Sequence, residues 1–133
     1  MSIQAQRGSM RSLAVGIAIA GPILIAGTCA YLETPTSRYE SYAEAQGAGA
    51  MQEGEWIPSF LPKSSRNIVE THNRDTKKQL ITFDYTPGDL GALELECERQ
   101  GDSLAFSCGT WRHGARVYLD SKGKGKLLAP EIV

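Results

Sequence analysis

The chain has 133 residues and a formal net charge of −1, which leaves room for one small domain beside a segment of about thirty residues. A nearly neutral chain with a slight acidic excess excludes a general nucleic-acid binder. Its two histidines and three cysteines lack zinc-ligand spacing, and the sequence contains no glycine-rich phosphate loop and no Gly-x-Ser-x-Gly elbow. Composition therefore favours a protein without catalytic activity, metal or other cofactor.

The first element is an uncharged apolar run over residues 12–32. About 20 such residues are enough for a helix to cross a hydrocarbon core of roughly 30 Å. Arg7 and Arg11 precede the run, so the positive-inside bias predicts a cytoplasmic N-terminus and an exported C-terminal domain. We expect residues 1–32 to anchor the chain in a bacterial inner membrane, with the domain facing the periplasm.

Two other interpretations of the run remain open. A basic start, an apolar centre and small residues at 28–30 also suit a cleaved signal peptide. Alternatively, Cys29 is lipidated, although the residues before it match the bacterial lipoprotein pattern only loosely. The C-terminal domain is exported in all three interpretations.

Residues 33–54 are predicted to form a short helix and a flexible joint. Ser37 and Glu40 have the spacing of a capping box, and the helix would end by residues 47–49. The glycines up to Gly54 are typical of a flexible joint. Residues 55–133 would then form the exported domain.

Residues 56–75 are predicted to be a folded-back arm that covers a sheet. The large apolar residues Trp56, Phe60 and Leu61 lie between prolines, which disfavour a regular helix or a central strand. A domain of this size needs such groups in its core, so we expect all three to be buried.

The second half of the arm is predicted to be a short helix. Ser64 or Ser65 would cap it, and Ile68 and Val69 would lie on its buried face.

The arm also resembles a sequence pattern of a known protein family. The resemblance covers about twenty residues and, after them, a strand with an aromatic residue at Phe83. The matching residues are Trp56, Ile57, Pro58, Leu61, Pro62, Ser64, Ile68, Glu70, His72, Asp75 and Thr76. They are similar to the pattern Trp-Leu-Pro, Leu-Pro-x-Ser-Ala, Ile, His and Asp-x-Asp-Thr-Asn of small bacterial envelope proteins, many of them lipoproteins. Ser65, Arg74 and Lys77 depart from it. The resemblance implies an envelope protein and carries no activity.

The remaining chain is predicted to form antiparallel strands over residues 80–85, 92–98, 104–108, 115–119 and 126–129. Apolar and polar residues alternate in them, and Glu94, Glu96 and Glu98 would lie on one solvated face. We expect an α+β fold with an N-terminal transmembrane helix, a short helix and a small sheet of about five strands.

Cys97 and Cys108 are predicted to form a disulfide. A two-residue turn at 102–103 would set Arg99 opposite Phe106 and Cys97 opposite Cys108. Opposed Cα atoms lie roughly 4.5–5.5 Å apart, which a disulfide accepts, and an exported chain meets oxidising surroundings.

Two groups of side chains are candidates for a ligand or partner contact. His72 and Asp75 could share a metal or a proton, but two ligands do not make a metal site, and a histidine bonded to a turn carboxylate is the simpler interpretation. Trp111, Arg112 and His113 could form a small polar pocket at a strand end.

The C-terminal part of the chain carries a basic hairpin. Over residues 112–126 the only acidic side chain is Asp120, and the basic ones are Arg112, Arg116, Lys122, Lys124 and Lys126. A solvated turn is the simpler interpretation, and the alternative is a contact with anionic lipid headgroups or an acidic partner.

Together these features predict a membrane-anchored, exported interaction module or accessory subunit without catalytic activity. Its partners would be the membrane and a protein of the cell envelope, and not nucleic acid. Two other classes remain open. One is a small-ligand or metal-binding envelope lipoprotein centred on His72 and Asp75, and the other is an inhibitor or immunity-type protein.

Overall fold

The computed structural model describes residues 34–130 of the chain. These residues form a small antiparallel sheet with two short helices. The helices are α1 (Tyr42–Gly47) and α2 (Gly91–Glu96). The strands are β1 (Thr36–Ser41), β2 (Arg66–His72), β3 (Gln79–Asp84), β4 (Glu98–Arg99), β5 (Ala105–Cys108), β6 (Ala115–Leu119) and β7 (Lys124–Ala129).

The predicted anchor at residues 1–32, which includes Cys29, lies outside the described residues. Within residues 34–130, neither helix has the length and apolar character that crossing a membrane requires.

The sheet joins two antiparallel meanders. Its strand order is β1-β2-β3-β7-β6-β5-β4, so β1 to β3 form one meander and β4 to β7 the other. The pairing of β3 with β7 connects them, with Ile81 opposite Leu127. The predicted strands over residues 80–85, 104–108, 115–119 and 126–129 are confirmed, and β1, β2 and β4 complete a sheet of seven.

The two faces of the sheet differ in how far their side chains are buried. The inner face carries buried residues such as Ile81, Val117 and Phe106, which share one core with Leu61 from the arm and Leu93 from α2. The outer face carries the alternate residues of the same strands, and several of these are exposed. Among residues 34–130, the outer face is therefore the more exposed of the two.

The predicted start of the first helix is wrong. Ser37 and Glu40 lie in β1, and the helix cap is Ser41, whose Oγ accepts a hydrogen bond from the backbone N–H of Glu44 at 3.1 Å. β1 pairs along its length with β2, so tertiary pairing overrides a capping signal four residues too early. The helix ends at Gly47, as expected.

The segment after α1 consists of hydrogen-bonded turns. The backbone N–H of Ala50 donates to the carbonyl of Ala45 at 3.0 Å, and that of Glu55 donates to the carbonyl of Gln52 at 3.0 Å. Ala50 is buried in the core. β1 and α1 belong to the same compact unit as the rest of the sheet.

The predicted helix after Ser64 and Ser65 is also wrong, because residues 66–72 form the interior strand β2 between β1 and β3. The arm is therefore limited to residues 56–65. Its inward residues are Ile68, Glu70 and His72. Two polar residues at inward positions hide the period of two that identifies a strand.

The predicted strand at 92–98 is wrong over most of its length. Residues 91–96 form α2, in which Leu93 is buried while Leu95 is 85% exposed. Glu94 and Glu96 therefore lie on a helix, and only Glu98 lies on a strand, β4. Six alternating residues are too few to separate a helical turn from a strand.

The register of the following hairpin is confirmed. Arg99 lies opposite Phe106, and Cys97 and Cys108 form a disulfide with Cα atoms 4.5 Å apart. The bond joins the end of α2 to the inner face of β5.

The basic hairpin between β6 and β7 is shaped by two glycines. Gly123 has a φ of +93° in the turn, where a residue without Cβ is favoured. Gly125 lies in β7 against the ring of Phe83 and the side chain of Leu119, and a Cβ there would overlap both. The Lys-Gly-Lys-Gly-Lys sequence therefore has a packing reason.

Candidate functional site

Six side chains form a polar cluster on the inner face, at the end of the sheet where β1 begins. β2 supplies two of them, β3 one, the arm one, and the loop after β5 two. This cluster consists of Trp56, Glu70, His72, Gln79, Trp111 and Arg112.

Hydrogen bonds connect the buried members of the cluster. His72 Nδ1 lies 2.8 Å from both carboxylate oxygens of Glu70, and Gln79 Nε2 donates to one of them at 3.1 Å. Gln79 Nε2 also donates to the carbonyl of Trp56, and Gln79 Oε1 accepts from Trp111 Nε1 at 3.0 Å. These partners orient the Gln79 amide and tie β2 and β3 to the arm and to the loop after β5.

Trp56 is held between two other members of the cluster. Its indole stacks on the His72 ring at 3.6 Å with an interplanar angle of 4°, and the Arg112 guanidinium lies 3.6 Å from the ring centre. Two groups at that distance cannot share one face, so the indole is sandwiched. Arg112 also donates to the carbonyl of Glu55.

This sandwich corrects one part of the expected core. Phe60 and Leu61 are buried as predicted, whereas Trp56 is only half-buried. Phe60 contacts the ring of Trp111 edge to face, with ring centres 5.9 Å apart, so the arm reaches the polar cluster by its apolar side as well.

Burial sets the electrostatics of the cluster. It raises the pKa of Glu70, while the hydrogen bonds from His72 and Gln79 and the charge of Arg112 oppose that rise. Burial also lowers the pKa of Arg112, and the carboxylates of Glu70 and Glu55 act in the opposite direction. The buried Glu70 carboxylate is thus compensated by hydrogen bonds and by the positive charge of the partly buried Arg112.

The space beside Glu70 is small. A cavity of about 70 Å³ lies between Ser37, Tyr39, Glu55, Trp56 and Glu70, whereas ligand pockets are typically about 300–1,000 Å³. The Glu70 oxygens already accept hydrogen bonds from two neighbours. The arrangement is therefore suited to holding the arm in place.

The structure brings together three of the five predicted contact residues: His72, Trp111 and Arg112. Asp75 lies outside the cluster in the exposed turn between β2 and β3, and His113 is exposed in a turn with a φ of +65°. The carboxylate that meets His72 belongs to Glu70. Among residues 34–130, no group of three or more His, Cys, Asp or Glu side chains is placed to hold a metal ion.

Sequence reasoning missed Glu70 and Gln79 as members of this cluster. Glu70 lies midway between Ile68 and His72, so a period of two over these three residues would have placed it inward. Gln79 had no comparable signal, because its role depends on which side chains face it across the sheet.

A second candidate site lies on the outer face, at the opposite end of the sheet. We call it the distal concavity: a depression of about 490 Å³ lined by side chains of β3, β6 and β7, including Thr82, Tyr118 and Lys126. Tyr118 is 37% exposed, and the Lys126 ammonium lies 5.6 Å from its ring centre. The concavity therefore presents an aromatic and a basic group to solvent.

An ion pair borders the distal concavity. Lys124 Nζ lies 2.7 Å from Asp84, and Asn67 Nδ2 donates to the same carboxylate at 2.7 Å. These two hydrogen bonds lower the pKa of Asp84, and the bond from Lys124 has the larger effect. Asn67 adopts a φ of +50° at the β-bulge in β2, which gives its side chain access to Asp84.

Residues 33–84 are similar to the family described as the YbbD head domain. The matched stretch contains β1, α1, the arm, β2 and β3, and so four members of the polar cluster but neither Trp111 nor Arg112. The match supports a small bacterial protein family at this coarse level. No curated protein and no solved structure matches the chain.

Proposed function

We propose that this protein is a membrane-anchored, exported interaction module without catalytic activity. Residues 12–32 would hold it in a bacterial inner membrane, and the domain would bind a protein of the cell envelope from the periplasmic side, with no role in binding nucleic acid. The Trp-x-Pro and Leu-Pro-x-Ser pattern of the arm supports the finer assignment to an envelope protein family, and the Cys97–Cys108 disulfide is compatible with an oxidising compartment.

The observation that carries the proposal is the open outer face of the sheet. It exposes the aromatic side chain of Tyr118 at 37%, and the distal concavity lies on it. Tyrosine is enriched in protein interfaces because one ring supplies both apolar area and a polar tip. An aromatic beside Lys126 suits a partner surface that combines apolar and acidic groups.

The polar cluster supports binding over catalysis. Two of its titratable side chains, Glu70 and His72, are paired with each other, and His72 is covered by the Trp56 ring. General acid or base catalysis needs a group within hydrogen-bond reach of a substrate, and the cavity beside Glu70 is too small for one.

The two alternative classes receive unequal support. A small-ligand or metal-binding lipoprotein centred on His72 and Asp75 has less support, because His72 is paired with Glu70. Asp75 lies apart from them in the turn between β2 and β3. An inhibitor or immunity-type protein would use the same open face, so the identity of the partner separates it from an accessory subunit.

Site-specific photo-crosslinking in intact cells tests the proposal. A photoreactive amino acid at Thr82, in the distal concavity, should give one adduct of defined mass, whereas the same amino acid at Glu96, exposed on α2, should give none. Tyr118→Ala should remove the adduct without lowering the unfolding midpoint. Equal adducts at both positions, or none at Thr82, would contradict the proposal, and a captured soluble toxin would favour the inhibitor class.

A separate measurement tests whether residues 12–32 remain as a membrane anchor. The intact mass of the membrane-extracted protein should include residues 12–32. A mass that begins near Tyr31, or at a diacylated Cys29, would show that the run is cleaved or replaced by lipid.

A further inference from the structure

The end of the sheet opposite the distal concavity carries an apolar depression. At this proximal end β1 and β3 begin and β2 and β7 end. The depression measures about 290 Å³, and its lining includes Thr34, Leu80, Leu128 and Pro130. Leu80 and Leu128 lie opposite each other on the outer face, so two large aliphatic groups adjoin in a region open to solvent.

Three cations lie at the same end, in the turn that joins β2 to β3. Arg74, Lys77 and Lys78 are all exposed, and none of them forms an ion pair with another residue of the range 34–130. Asp75 is the one carboxylate of this turn. In sequence, Glu33 precedes Thr34 and Glu131 follows Pro130.

The turn holds these cations in a defined place. Asn73 Oδ1 accepts hydrogen bonds from the backbone N–H groups of Asp75 and Thr76, each at 2.9 Å. The backbone N–H of Lys77 donates to the carbonyl of Asn73, and that of Asn73 donates to the carbonyl of Lys78. The basic groups therefore stand on an ordered turn beside the apolar depression.

Chain length restricts where this end can lie. Four residue steps separate Leu32, the end of the apolar run, from Thr36, the start of β1. An extended chain spans at most about 3.5 Å per residue, so these steps cover no more than about 14 Å. With residues 12–32 in a bilayer, the start of β1 is held within that distance of the membrane boundary.

We infer that the proximal end docks on the anionic headgroups of the membrane that anchors the chain. The cations of the β2–β3 turn contact lipid phosphates, and Leu80 and Leu128 face the interface. This inference rests on the anchor in the proposed function. Basic residues beside an anionic leaflet each strengthen binding about fivefold, and the tether supplies a high effective concentration, so weak contacts suffice. Docking leaves the distal concavity pointing away from the membrane, toward a partner.

The test compares the two ends of the full-length protein in lipid vesicles. A fluorescent amino acid replaces Thr76 in the proximal turn or, as the matched position, Ser121 in the exposed turn between β6 and β7. Headgroup-attached quenchers report proximity to the bilayer. In vesicles with anionic lipid, quenching should be strong at Thr76 and weak at Ser121, and it should fall in zwitterionic vesicles and at high salt.

Two variants with the same change in net charge sharpen the test. The proximal variant is Arg74→Gln, Lys77→Asn and Lys78→Gln, with Asn chosen because Lys77 has a φ of +63° and asparagine tolerates that region. This variant should weaken docking on the membrane by a factor on the order of 100. The distal variant, Lys63→Gln, Lys122→Gln and Lys126→Gln, should leave quenching at Thr76 unchanged.

In lipid vesicles, three outcomes overturn the inference. These are equal quenching at Thr76 and Ser121, quenching that does not depend on anionic lipid, and an equal loss of quenching at Thr76 in both triple variants. Quenching at Thr76 in native membranes but not in lipid vesicles would assign the proximal end to a protein partner and would also overturn it. Failure of the anchor is recognised separately, because alkaline carbonate would then release the protein from the vesicles.

Discussion

Glu70 is an ionisable side chain with 1% exposure in a sheet face that is otherwise largely apolar. Burying a carboxylate is costly unless partners satisfy it, and His72 and Gln79 do so here. Those two partners also contact the arm, His72 through the Trp56 ring and Gln79 through the Trp56 carbonyl. A single buried charge thus helps to select one position for the arm.

Glu70→Gln should change how stability depends on pH. Because burial raises the pKa of Glu70, the folded protein binds this proton more tightly than the unfolded chain. The cost of the buried carboxylate is full above the folded pKa and is relieved as the pH falls through it. Relative to wild type, the free energy of unfolding of the variant should therefore increase as the pH rises above the ordinary carboxyl value of 4.5, as measured by urea unfolding.

Asp84→Asn provides a control of opposite sign. The pKa of Asp84 is lowered by Lys124 and Asn67, so its stabilising contribution is present above the unfolded pKa and is lost as the pH falls through the folded one. This variant should lose stability relative to wild type as the pH rises, by less than about 1 kcal/mol for an exposed pair. The same slope for both variants would contradict the account of Glu70.

At the scale of elements, α2 and β4 are weak on their own. α2 has six residues, one buried side chain and no side-chain cap at Leu90, and helices below about 12–15 residues are marginal in isolation. β4 has only two residues. The Cys97–Cys108 disulfide ties both elements to the inner face of β5, so it contributes most where local structure contributes least.

Cys97→Ala should therefore lower the free energy of unfolding by about 3 kcal/mol in the chain-entropy model for a loop of this length. The loss should be largest in residues 91–99, whose amides should exchange faster with deuterium, while those of β2 should change in proportion to global stability alone. Urea unfolding and hydrogen exchange measure both effects.

Reductant supplies the control for the cysteine variant. Reduced wild type and Cys97→Ala should unfold at similar urea concentrations. Modification of both Cys97 and Cys108 by a thiol reagent in native, unreduced protein would show that the bond is absent, and would weaken the proposed export of the domain with it.

For the whole molecule, the core depends on both meanders at once. One inner row of the sheet runs from Glu70 through Ile81, Leu127 and Val117 to Phe106. Its members come from β2, β3, β7, β6 and β5. Neither meander can bury its share of this row alone, because the β3–β7 pairing lies in the middle of the sheet.

We therefore expect a fragment of residues 34–84, nearly the stretch that matches the family, to remain unfolded. It lacks the partner strand of β3, and it lacks Trp111 and Arg112 from the polar cluster. Its amide NMR spectrum should show little dispersion and its thermal transition should not be cooperative. Residues 34–133 are the matched control and should unfold cooperatively, whereas a dispersed spectrum from 34–84 would show that the first meander folds independently.

The sequence alone determined the strands whose predicted ranges carry only apolar residues at inward positions. The alternation around Ile81 and Phe83 and around Phe106 and Cys108 predicted strands, and spacing alone predicted the hairpin register that pairs the cysteines. These predictions succeeded because each depends on neighbours a few residues apart, whose burial follows a period of two.

Only the tertiary structure decided the rest. β2 places Glu70 and His72 inward, which is stable only because Gln79 and Trp56 arrive from other parts of the chain. α2 is a helix that buries only Leu93, although six alternating residues suit a strand equally well. Trp111 reaches Gln79, and Arg112 reaches Trp56, through the pairing of distant strands. In each case the deciding contact lies far away in sequence, where no local pattern records it.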